Sequence, residues 1–109
     1  MKFWLFNIII ISNILVSSEI ANDFTITRLK YGGGGDWYAN PSSLPNLMEF
    51  LHKETGIKVA PREIQASIES SEFYNNPYYY MTGHGKIKFN SNEIDILREA
   101  LTNGAFLHA

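Results

Sequence analysis

Apolar and polar residues alternate through residues 24–30, Phe-Thr-Ile-Thr-Arg-Leu-Lys, which is the period of a strand that turns one face to a core. Leu44, Leu47, Met48 and Leu51 then recur at i, i+3, i+4 and i+7, the single face of an α-helix. Ser42 or Ser43 stands at its start as a cap, and Gly56 stands at its end. Residues 57–59 predict a short strand that stops before Pro61, and residues 64–68 a further extended piece. Residues 70–75 predict a helical turn, closed by Asn76-Pro77. The aromatic run 78–81 predicts a buried strand, and residues 87–89 a brief extension. Asn90 and Glu93 have capping-box spacing ahead of a second helix, whose expected buried face is Ile94, Leu97 and Leu101. Gly104 ends that helix, and residues 105–109 begin another strand.

Strands that alternate with helices predict an α/β fold of three layers, α/β/α, around a mostly parallel sheet. In a flavodoxin-like order the first and third strands lie side by side, where the strand order reverses. The pattern stops inside its last strand, before the crossover helix that would cover it. Residues 22–109 are therefore expected to be the N-terminal part of a larger domain, incomplete at its C-terminus.

The N-terminus changes the picture of compartment. Lys2 precedes an apolar run over residues 3–16, followed by the small residues Val16 and Ser18. The run is shorter than the roughly 20 apolar residues of a spanning helix. Residues 1–18 are thus expected to form a secretory signal, with export to the periplasm or cell envelope and membrane contact through that segment only. The alternative is an uncleaved anchor. The 109 residues suit one domain, and 45% hydrophobic with 14% aromatic content suits a packed core. With a net charge of -2 and isolated basic residues, no stripe exists to neutralise phosphates, so nucleic acid is not an expected partner. The absence of cysteine removes thiol nucleophiles, thiolate metal sites and redox pairs from these residues.

Two loops carry the chemistry. The first follows the first strand as Tyr31, Gly32, Gly33, Gly34, Gly35, Asp36, Trp37 and Tyr38; the second follows the aromatic strand as Thr82, Gly83, His84 and Gly85. In open parallel sheets, ligands bind beyond the carboxyl ends of the strands at the reversal point, so these loops are expected to meet on one edge. The glycine run fits either a permissive turn or a backbone cradle for an anion through Gly33 and Gly34, but matches neither the phosphate loop nor the dinucleotide fingerprint. Trp37 and Tyr38 beside Asp36 fit either stacking on a sugar or other flat ligand, or a plug on the sheet edge. His84 between two glycines fits an acid/base group or metal ligand with Asp36 as its partner, or a histidine bonded to neighbouring backbone. His52 reads as a helix residue at the surface or partly in the core, and His108 as a strand residue on either face. Tyr78, Tyr79 and Tyr80 read as sheet packing rather than a stacking platform.

The same residues carry a resemblance. The string from Arg28 to Tyr38, then Ser43-Leu44-Pro45-Asn46-Leu47, Tyr80-Met81-Thr82-Gly83-His84-Gly85 and Asn103-Gly104-Ala105-Phe106-Leu107, resembles the bacterial family called domain of unknown function 4159. The resemblance covers residues 22–109. It implies a scaffold like that of class I glutamine amidotransferases, no established activity, and members that are often exported or membrane-associated and longer than this chain. It also implies that the strand over residues 106–109 runs on into paired aspartates. Amidotransferases place a cysteine nucleophile there, so that feature argues against their chemistry. Gly104-Ala105 stands where most relatives have two glycines.

Together these readings give a binding module for a small molecule or a cell-envelope protein, with Tyr31, Gly33, Gly34, Asp36, Trp37, Tyr38, Gly83 and His84 as candidate contacts. The alternative is a hydrolase, metal-assisted in one form, that uses His84 and Asp36 with residues beyond Ala109. A third is an envelope assembly component acting through surface contacts. The sequence names no cofactor.

Overall fold

The computed structural model describes residues 23–109. The signal reading of residues 1–18 lies outside the described residues. Among those described, no helix is long and apolar enough to cross a membrane. The elements are β1 (Thr27–Lys30), α1 (Ser43–Thr55), β2 (Ile64–Ser67), a 3-10 turn (Ser71–Asn75), β3 (Tyr78–Tyr80), α2 (Ser91–Thr102) and β4 (Phe106–His108).

The four strands form one sheet in the order β2-β1-β3-β4, with every pairing parallel. Thr27 is opposite Ile64 on one side and Tyr79 on the other. The expected neighbourhood of the first and third strands is present.

Side chains of β1 alternate between two cores. Ile26 points to α1, where it packs with Leu44 and Met48 beside Tyr78 and Tyr80. Leu29 and Tyr31 point the other way, into a cluster with Ile68, Phe73, Tyr79 and Met81 that Ile96, Leu97 and Ala100 of α2 cover. The sheet is therefore covered on both faces, as an α/β pattern requires. Tyr79 stacks on Phe73 with ring centroids 4.3 Å apart, and its hydroxyl donates to the Phe73 carbonyl at 2.9 Å. The middle tyrosine of the aromatic run is core, and its two neighbours belong to the opposite face.

The structure departs from the expected elements in four places. The strand beside β1 is residues 64–67, not 57–59. Val59 makes a single bridge to Phe24. Pro61, which has no N–H, prevents the ladder from continuing, and pairing resumes when the Ile64 amide donates to Ile26 O at 2.9 Å. Leu47 sits at the rim of the α1 stripe, 36% exposed. In α2 the capping box forms as expected, with the Asn90 side chain accepting from the Glu93 amide and the Glu93 carboxylate from the Asn90 amide. Ile96, Leu97 and Ala100 face the core, while Ile94 and Leu101 are 42% and 39% exposed. Ser42 occupies the α1 cap position without a side-chain hydrogen bond, and Ser43 instead donates to Asn40 O at 2.8 Å.

Candidate functional site

The loops after β1 and β3 run alongside each other in antiparallel sense. Gly35 N donates to Lys86 O at 3.0 Å, Asp36 N to His84 O at 3.1 Å, and Lys88 N to Gly32 O at 2.8 Å. This close pairing explains the glycine run. A Cβ on Gly33 would stand 2.7 Å from Lys88 N, and its φ of 103° lies in the left-handed region. Because the amides of Gly35 and Asp36 are already bonded across the loops, the run is first a pairing surface. Gly34 faces open space.

Asp36 is the clasp of this edge. Its Oδ1 accepts from the His84 amide, and its Oδ2 lies 3.3 Å from His84 Nδ1. The amide bond to Oδ1 holds the Asp36 carboxyl below its ordinary value; partial burial opposes this, and the His84 ring lowers it further. The His84 side chain is 88% exposed. A neutral imidazole that donates its Nδ1 proton to Asp36 presents Nε2 to solvent with a free lone pair. That state suits a hydrogen-bond acceptor, a proton acceptor or a metal ligand. Among the described residues, no group of three His, Cys, Asp or Glu side chains is gathered closely enough to hold a metal ion.

The remaining candidates divide by position. Tyr31 is 5% exposed and donates to Thr82 O at 2.9 Å, so it joins the loops from beneath. Gly83 lies against Tyr31 and Asp36 at a φ of 141°, where a Cβ would collide with both. Trp37 is half-buried against the α2-side core, and Lys30 Nζ sits 5.4 Å from its ring centroid. Tyr38 is 64% exposed and meets Trp37 edge-on at 5.5 Å. A cleft of about 410 Å³ opens beside Gly83, with Tyr80, Met81, Thr82, Ile87 and His108 as its other main walls. Another hollow, of about 500 Å³, lies between α1 and residues 58–61 and shares no lining residue with this edge.

His52 and His108 take other places. The exposed His52 pairs through Nδ1 with Ile57 O at 2.8 Å, past the end of α1. His108 lies on the α1 side of β4, its ring 5.1 Å from that of Tyr80.

One residue at this edge escaped the sequence reading. Arg28, one of the isolated basic residues, is 1% exposed. Its Nη1 donates to Trp37 O at 3.2 Å and Ala39 O at 2.8 Å, and its Nη2 to Asn40 O at 3.2 Å. Its Nε lies 3.5 Å from Glu63 Oε1, an ion pair without an aligned hydrogen bond. The signal was a charge in the middle of a strand whose sheet is covered on both faces; such a charge must be paired.

A parallel sheet covered on both faces, with polar groups from two loops meeting where strand order reverses, defines a doubly wound α/β domain with a structured strand-end edge. Residues 25–109 match the model of the family described as Domain of unknown function (DUF4159), and the chain belongs to that family. No curated protein matches the chain.

Proposed function

We propose that this chain is part of an exported α/β domain that binds a ligand at the β1/β3 edge. In this reading Asp36 orients His84, whose Nε2 meets a donor or acidic group of the ligand. Tyr38 and the free rim of Trp37 contribute flat apolar surface, suited to a sugar or planar ring. Tyr31, Gly33, Gly34 and Gly83 shape the edge. The observation that carries the reading is the Asp36–His84 pair, formed across the reversal point with the imidazole turned to solvent. The scaffold is proposed to be amidotransferase-like, as the family resemblance implies and as an all-parallel sheet in the order β2-β1-β3-β4 allows. Export rests on the leader-like residues 1–18.

The test is an NMR screen of the full-length protein against small sugars and planar aromatic acids. Hits should perturb the amides of residues 36–38 and 83–84. Their affinity should fall by about tenfold or more, ~1.4 kcal/mol, in His84→Ala and Trp37→Ala variants that remain folded. Hits that map elsewhere, or keep full affinity in both variants, refute the reading.

A second reading, hydrolysis, is favoured by the same carboxylate-oriented imidazole, an arrangement that serves general bases and metal ligands alike. It requires a further nucleophile or ligand. Stoichiometric metal in the full-length protein, lost on His84→Ala, supports it; folded, metal-free protein with no hydrolysis of model esters counts against it.

A further inference from the structure

Arg28 sits on the face of β1 opposite Leu29 and Tyr31, under the loop that leads from Asp36 into α1. Its Nη hydrogen bonds go to that loop and to the first residue of α1: the carbonyls of Trp37, Ala39 and Asn40, and Ser43 Oγ at 3.4 Å. Asn40 is the only non-glycine with positive φ among the described residues, at 53°, and its carbonyl also accepts from Ser43 Oγ and the Ser43 amide. A planar guanidinium with several fixed donors can hold successive carbonyls in one geometry, which an ammonium cannot do. Glu63, with its side chain 7% exposed, compensates the buried charge from the strand side. The loop is thus gripped from behind by Arg28 and from the front by the segment from His84 to Lys88. Asp36 stands between the two grips, and its own carbonyl accepts from the Ala39 amide at 2.9 Å.

We infer that Arg28 is the positioning residue of this edge: by fixing the carbonyls of Trp37, Ala39 and Asn40, it sets where Asp36 meets His84. The functional weight of this positioning rests on the binding role proposed for the pair. A buried arginine that only adds stability would leave the Asp36–His84 contact unchanged once the protein is folded.

The experiment reads the ¹H–¹⁵N resonance of the His84 amide, which donates to Asp36, in the full-length protein. Asp36→Asn defines the displacement produced when the carboxylate contact is lost. Arg28→Met is made together with Glu63→Gln, so that no unpaired charge is left buried, and Arg28→Lys is made alone. The inference predicts that the folded double variant shifts the His84 amide most of the way to the Asp36→Asn position. It predicts a smaller shift in the same direction for Arg28→Lys, with α2 amides unmoved in both. A His84 amide that stays at its wild-type position in either folded variant overturns it. Failure of both variants to fold also overturns it, because Arg28 is then a stability residue. Ligand binding is not the readout, so this result and that of the binding screen fail independently.

Discussion

Gly83→Ala tests how tightly the two loops are joined. The native φ of 141° lies in territory essentially reserved for glycine, and holding alanine there costs roughly 1–3 kcal/mol. The new Cβ would stand 2.8 Å from Asp36 O and 2.9 Å from Asp36 Oδ1, and would overlap the Tyr31 hydroxyl. Tyr31 is core, so its ring cannot swing away without giving up the bond to Thr82 O, about 1 kcal/mol. Stiffening of the unfolded chain offsets about 0.4–1 kcal/mol. The net expected loss is about 1–3.5 kcal/mol, near 2 at mid-range. Gly34→Ala is the control, because Gly34 also has positive φ, 92°, but a Cβ there meets nothing within 4 Å. It should lose about 1 kcal/mol, the dihedral cost alone. Urea unfolding of both variants, with m-values unchanged from wild type, measures the difference. Equal losses, or a neutral Gly83→Ala, would show that the loops are not in contact.

Two further predictions concern charge and core. Asp36 has a folded-state carboxyl below its ordinary 3.8, so its stabilising contribution is fully present above that value and is lost as pH falls through the lower folded value. The stability advantage of wild type over Asp36→Asn should shrink as pH falls below 3.8 through the lower folded value; an advantage that stays unchanged through that acid range contradicts the assignment. Phe73 is 0% exposed and stacked on Tyr79, so Phe73→Ala should cost about 3–5 kcal/mol in denaturant unfolding; a loss under 1 kcal/mol would mean that the α2-side core is not packed as described.

Much of the fold was legible because local rules and tertiary packing agreed. The capping box at Asn90 and Glu93, the glycine after α1 and the order of strands and helices each follow from short-range chemistry. Where they disagreed, packing prevailed. Residues 57–59 look as strand-like as residues 64–67, but only the latter alternate so that Ala66 is buried between the exposed Gln65 and Ser67, continuing to the buried Ile68. The α2 stripe required the helix phase, and Ile94 and Leu101 are apolar enough to mislead. The site was legible in outline, since Asp36 and His84 follow strands expected to be neighbours. The grip of Arg28 was not, because it depends on three carbonyls of a loop whose path the sequence does not specify.

Amide hydrogen exchange on the full-length protein tests the central claim, that the loops after β1 and β3 close into one edge. The amides of Gly35, Asp36, His84 and Lys88 all donate across the two loops, although His84 and Lys88 belong to exposed residues. These four should be protected together, and Asp36→Asn should lower the protection of His84 first. Exchange at unfolded-chain rates in a folded protein would mean that the loops lie apart, and the edge with its Asp36–His84 pair would not exist.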